Sequence, residues 1–239
     1  MQGTPTSTGT RLQAGSLLLG IDTCGPSGSV ALGRMADGGL EILAQIELEG
    51  RSYSATLVTA VGDLLTRAGG RVRDLNAIVA VNGPGSFTGV RVGLSAVKGL
   101  AEPGGIPVAA VSRLEVLAQK AGTSSSALDA HRHEVFLRLG GPGREARELL
   151  AGAHELAGLD AGRASIAVCD QDAGQLLRSV WPAVELVRIL PPTAADALEL
   201  CAPRVAAKQF VPLAQLDGHY LRRSDAEIFG EPVLAPRRA

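Results

Sequence analysis

The chain has 239 residues, 46% of them apolar, with 23 basic against 24 acidic side chains. A chain this long removes roughly 70–75% of its unfolded surface from water, in one large domain or in two lobes of ~100 residues each. The balanced charge and the 3% aromatic content argue against an autonomous RNA or DNA binder, which carries a basic stripe and aromatic platforms. Cys24, Cys169 and Cys201 stand far apart, with no CxxC or Cys/His cluster, so neither a disulfide framework nor a structural zinc site is indicated. The opening MQGTPTSTGTRLQAG (1–15) lacks an apolar h-region and reads as a disordered tail rather than a signal peptide. No run approaches the ~20 apolar residues of a membrane span, and a soluble, cytoplasmic protein is expected.

Three short apolar runs, 16–22, 29–34 and 40–48, are joined by the turns TCGPSG and MADGG, the pattern of an antiparallel meander. Over 52–67, Leu57, Val58, Val61, Leu64 and Leu65 recur at helical spacing and define one strong apolar face. Residues 77–81 read as a buried strand, 87–101 as a second helix and 107–111 as another strand. Ser112 opens a third helix with a capping box completed by Glu115, and Gly122 closes it. The order β-β-β-α-β-α-β-α is, by analogy, that of the ribonuclease-H-like lobes of the actin, hexokinase and Hsp70 superfamily.

The second half repeats the opening more weakly. Strands 126–130 and 134–139 flank a turn, and Asp22 and Asp129 each end a first strand. A buried strand covers 165–170. A helix over 193–201 is capped by Thr193 with Asp196 at its third position, and Pro203 interrupts it or starts a new one. The expected architecture is α/β and two-lobed. The N-terminal lobe spans 16–111, a reduced C-terminal lobe spans 112–228, and a tail covers 229–239.

Between strand 77–81 and the second helix stands NGPGSFTG (82–89). It fits neither GxxxxGK[ST] nor GxGxxG, and as GxSxG it has Pro84 and Thr88 where glycines belong. A structural role fits better. Pro84 ends the strand, Gly83 and Gly85 supply turn dihedrals, Ser86 caps the helix, and Gly89 and Gly93 let another backbone approach. The helix also carries an apolar stripe, with Val90, Leu94 and Val97 in it. Two such helices exceed what one small sheet needs to cover, so part of their surface is expected to meet a partner.

LGIDTCGPSGSVAL, NGPGSFTGVRVGLSAVKGLA, PVAAVSRLEVLA and ALDAHRHEVFLRL, in this order, resemble the TsaB family, also called YeaZ, over roughly residues 16–140. YLRRSDAE (220–227) is similar to the family's C-terminal signature. The resemblance implies the dimerisation subunit of a bacterial complex that threonylcarbamoylates adenosine 37 in tRNAs reading codons that begin with A. It implies pairing with the catalytic homologue TsaD, joined by the ATPase TsaE, through helices that map onto 52–67 and 86–101. The residues expected at that contact are Leu57, Val58, Val61, Leu64, Leu65, Val90, Gly93, Leu94 and Val97. It implies contact with tRNA only through the complex. When the chain is alone, its apolar helix faces can pair with themselves as a homodimer. The family often has His where Tyr53 stands, and it writes DARxGEVY where this chain has Asp129–Phe136, with His133 in the glycine position.

Working ATPases of the superfamily clamp phosphates between two glycine-bearing hairpins around a metal held by an Asp. Lobe one keeps Asp22, Thr23, Gly28 and Ser29, a vestigial phosphate hairpin. Lobe two has no glycine in Asp129-Ala130-His131-Arg132. Asp22 serves equally as the cap of its own turn. None of His131, His133, His154 and His219 has the HxxxH spacing of a glycoprotease. The expectation is therefore no catalytic residue, no metal and no intrinsic cofactor, with ATP or ADP held at most at a subunit boundary. The alternative is an ATP-dependent kinase on the same fold.

Overall fold

The computed structural model describes residues 14–49, 52–141, 144–160 and 165–222. The expected terminal tails, apart from residues 14 and 15, and Arg223 to Glu227 of the C-terminal signature lie outside the described residues.

Two five-stranded mixed sheets form the framework. The first is built from β1 (Leu17–Asp22), β2 (Ser27–Ala36), β3 (Gly39–Glu49), β4 (Leu75–Val81) and β5 (Val108–Val111). Its order is β3-β2-β1-β4-β5, with the first three strands antiparallel and β4 and β5 added in parallel. The second contains β6 (Ser125–Asp129), β7 (Glu134–Gly141), β8 (Arg144–Gly152), β9 (Ile166–Val168) and β10 (Leu186–Arg188). Its order, β10-β9-β6-β7-β8, is the same pattern repeated, meander first and parallel strands after. Lobe two is thus reduced in strand length, with three residues each in β9 and β10, and not in strand number.

The parallel strands need crossovers, and helices supply them. Lobe one uses α1 (Tyr53–Arg67) and α2 (Phe87–Ala101); lobe two uses α4 (Ala153–Ala157) and α5 (Gln171–Val180). The remaining helices, α3 (Arg113–Lys120) and α6 (Ala194–Ala206), change lobes. Leaving lobe one, α3 packs its Leu114 and Leu117 with Leu128, Phe136 and Ala167 of the second sheet. Leaving lobe two, α6 buries Ala194, Ala197, Leu198, Cys201 and Val205 in the core of the first. The C-terminal lobe expected over 112–228 is therefore discontinuous. Residues 194–206 and Leu216 belong to the lobe-one core, because α6 covers the sheet face that α1 and α2 leave open.

Helix ends follow their cap chemistry. Thr193 accepts from Asp196 N–H and the Asp196 carboxylate returns to Thr193 N–H at 2.7 Å, a complete capping box. At α3 the box is only half made. Ser112 Oγ accepts from Leu114 N–H at 3.2 Å, but Glu115 turns to Arg204 of α6. That ion pair joins the two helices that exchange lobes.

The apolar face of α1 points at the sheet. Leu57, Val61, Leu64 and Leu65 are buried, as are Val90, Gly93, Leu94 and Val97 of α2. Of the nine residues expected at a partner contact, only Val58 is exposed, at 63%. The correction has a simple cause: the periodic face is what holds each helix to its own sheet. Leu64→Ala should cost about 2–5 kcal/mol by opening a core cavity, whereas Val58→Ala should stay within about 0.5 kcal/mol. Denaturant midpoints of the two variants check this, and equal losses would contradict it.

Candidate functional site

The β1–β2 turn, the 82–89 loop and the start of α3 meet at one point. There Asp22 and Arg113 form a buried ion pair, Nε to Oδ2 at 3.4 Å, with side chains 2% and 6% exposed. The other Asp22 oxygen accepts from Cys24 N–H at 2.8 Å. Burial works against the Arg113 charge, yet the carboxylate more than offsets it and holds the guanidinium above its ordinary pKa. Arg113 N–H also donates to Gly83 O at 2.6 Å, fixing the loop to the helix start.

The structure brings Asp22, Thr23, Gly28 and Ser29 together and commits each to the fold. Thr23 Oγ1 donates to Gly89 O at 2.7 Å. Ser29 Oγ accepts from Ala194 N–H at 2.8 Å, at the N-terminus of α6. Gly28 lies against Tyr53, whose hydroxyl donates to Gly25 O at 2.8 Å. Burial first and the Asp22 charge second push the Tyr53 hydroxyl up to about 12. A Cβ on Gly25 would stand 2.4 Å from the Arg113 guanidinium. The chain's own cation packs against this hairpin, and both Asp22 oxygens are engaged. Among the described residues no group of three or more His, Cys, Asp or Glu side chains could hold a metal ion.

Close packing explains the glycines of the loop. A Cβ on Gly85 would lie 2.1 Å from Cys24 O, and one on Gly89 would lie 2.1 Å from Thr23 O. Gly93 faces the Thr23 hydroxyl, and Gly83 adopts φ +110°. Ser86 Oγ accepts from Gly89 N–H at 3.3 Å and caps α2, while its own N–H donates to Cys24 O at 2.8 Å. Pro84 lies beyond the end of β4, where no ladder bond is asked of it.

Above this junction the lobes enclose a cleft of ≈ 1010 Å³. Its lobe-two wall includes His131 and Arg132, in a turn where His131, Arg132 and His133 all adopt left-handed φ of 59°, 57° and 59°. His131 N–H and Nδ1 both engage the Asp129 carboxylate, at 2.9 and 2.8 Å. Its rim is the C-terminal strap: His219 N–H donates to Asn82 O at 2.7 Å, and Arg222 pairs with Glu134. Behind the strap, Glu148 accepts from Ser112 Oγ at 2.6 Å and Arg138 at 2.7 Å, with His219 Nε2 at 2.8 Å. Burial pushes Glu148 up, but those bonds outweigh it and hold the carboxyl below its ordinary value. Sequence reading assigns these contacts to no residue of the strap, because the partners of His219 lie 71 and 137 positions away and no local pattern encodes them.

The two sheets of equal topology, with helices exchanged across a cleft, define a two-lobed α/β protein of the actin-like class. A family model described as "TsaD: tRNA N6-adenosine threonylcarbamoyltransferase" matches residues 41–151. YeaZ from Pseudomonas aeruginosa superposes with a TM-score of 0.69 at 31% identity, covering 86% of this chain and 100% of that one. Proteins called TsaB, "tRNA threonylcarbamoyladenosine biosynthesis protein", are 38% identical over 125 residues in Escherichia coli and 36% over 126 in Bacillus subtilis. Those matches cover 50% and 51% of this chain and 52% and 54% of the relatives, so the chain spans about half their length. This chain belongs to the TsaB/YeaZ family.

Two tests follow from the junction. Asp22→Ala strands a buried guanidinium and should destabilise by about 3–5 kcal/mol; a denaturation midpoint unchanged from the parent would contradict the role of the pair. Burial raises Cys24 well above 9.0, and raises Cys169 and Cys201 to about 11. Since the thiolate is the nucleophile, all three should stay protonated and resist alkylation at pH 8, then react once denatured. Rapid labelling of the folded chain would show a lowered thiol pKa instead.

Proposed function

We propose that the chain is a non-catalytic assembly subunit in tRNA threonylcarbamoyladenosine biosynthesis. It binds a TsaD-type transferase, and with it TsaE, for modification of adenosine 37 in tRNAs reading codons that begin with A. Membership of the TsaB/YeaZ family supports the pathway, and the names of the relatives carry it. Catalysis belongs to the partner in this reading, tRNA is reached only through the complex, and the complex works in the cytoplasm. Any ATP or ADP is a ligand of the subunit boundary and not a substrate of this chain. Among the described residues no helix is long and apolar enough to cross a membrane.

The observation that carries the assembly reading is the outer face of α1 and α2. With the large apolar side chains other than Val58 and Phe87 committed inward, the outer surface includes a run of small residues: Ala55, Thr59, Gly62 and Thr66 on α1, with Ser95 and Gly99 on α2, all exposed. A Cβ added at Gly62 or Gly99 would meet nothing within 4 Å, so a partner helix can approach the backbone itself. Val58, exposed at 63%, projects from this face as an apolar anchor. Without the transferase, the same face can pair with a second copy of the chain.

Val58→Glu and Gly62→Leu should each abolish capture of the TsaD-type partner in a pull-down without lowering thermal stability. Charges at Val61 or Leu65 are unsuitable probes, because both side chains are core and such variants should unfold. Undiminished capture by Val58→Glu, or ATP turnover by the isolated chain that Asp22→Asn removes, would overturn the reading.

A further inference from the structure

The chain has only seven aromatic residues, and two of its exposed ones meet at the mouth of the cleft. Phe87, in the first turn of α2, is 42% exposed; Tyr220, on the C-terminal strap, is 40% exposed. Their ring centroids lie 5.2 Å apart at 48°, and the Arg91 guanidinium sits 3.7 Å from the Phe87 centroid. Phe87 and Arg91 share α2, and Tyr220 comes from a segment more than a hundred residues further on. Leaving such rings in water costs free energy that a mere packing contact would avoid by burial.

The shelf is held from behind. The Tyr220 ring lies over Gly218, where a Cβ would stand 2.4 Å from the ring. His219, between them, is tied to Asn82 through its N–H and to Glu148 through Nε2. The charge around the shelf favours an anion. Arg91, Arg113, Arg132 and Arg222 line the cleft, Arg113 in its pair with Asp22 and Arg222 in its pair with Glu134. The acids there are occupied, Asp129 by His131, and Asp170 by the N–H groups of Asp129 and Ala173 at 3.0 and 2.8 Å. Deeper in, Arg113 lines the cleft in its pair with Asp22.

We propose that Phe87, Tyr220 and Arg91 form a stacking shelf for one unpaired base of a single-stranded RNA, whose phosphates run past the cationic rim. Bases stack on aromatic rings and guanidinium planes irrespective of sequence, and a single shelf adds a contact without making an autonomous RNA binder. The choice of a strand over a free nucleotide rests on the tRNA reading above. The shelf itself rests on the cleft, and Val58 on the outer face of α1 takes no part in it.

The test is fluorescence quenching of 2-aminopurine in a short single-stranded RNA, titrated at low salt with the full chain bound to a TsaD-type transferase. Saturable quenching is expected. Phe87→Ala, Tyr220→Ala and Gly218→Ala, the last displacing the Tyr220 ring, should each weaken it about tenfold, the worth of one stacked base. Phe87→Trp should restore it, and Arg91→Ala should also flatten its salt dependence. Circular dichroism melts identify any variant that has merely unfolded. Absence of saturable quenching, equal quenching by Phe87→Ala, or competition by adenosine monophosphate as effective as by the strand overturns the shelf. If the partner is still captured by the pull-down, that failure leaves the assembly reading intact.

Discussion

A guanidinium buried against a carboxylate at the seam of two lobes organises this molecule. Arg113 is the first residue of the helix that leaves lobe one for lobe two, and Asp22 ends the first strand. Taking both charges out of water is costly unless each finds its partner and its hydrogen bonds. The chain meets that condition with the Cys24 N–H on the carboxylate and an Arg113 main chain fixed to Gly83. The pair therefore pins the β1–β2 turn, the glycine loop and the lobe crossing as one unit.

From that junction the position of α2 follows. Gly85 and Gly89 bring the loop and the first turn of the helix onto the carbonyls of Cys24 and Thr23, closer than any side chain would permit. Drawn down in this way, α2 buries Val90, Leu94 and Val97 on the sheet beside α1. Part of the outward surface is a patch of short side chains and bare backbone beside Val58. Such a patch offers a second protein dense van der Waals contact at short range.

Much of the fold is legible in the sequence because it is local. Periodicity in 53–67 and 87–101, the apolar runs of β1, β4 and β5, and the Thr193–Asp196 box are each encoded within a few residues. Strand β8, REARELLAG, gives no such signal because its charged and apolar residues do not alternate as a buried strand would, and β9 and β10 are too short to show a period. Periodicity also tells which face of a helix is apolar but not what covers it. Leu57, Val61 and Leu64 satisfy a sheet or a partner equally in sequence, and only the packing assigns them to the core. The return of α6 to lobe one and the aromatic contact across the cleft join residues too distant for any local signal.

The two ends of α2 thus serve different purposes, its first turn facing the cleft and its outer side facing solvent. Hydrogen–deuterium exchange on the full chain, alone and with a TsaD-type transferase, tests the central claim most directly. Slowed exchange in the exposed turns of α1 and α2, around residues 55–66 and 92–99, with lobe two unaffected, is the predicted result. Protection confined to lobe two, or none anywhere in the two helices, would contradict the account.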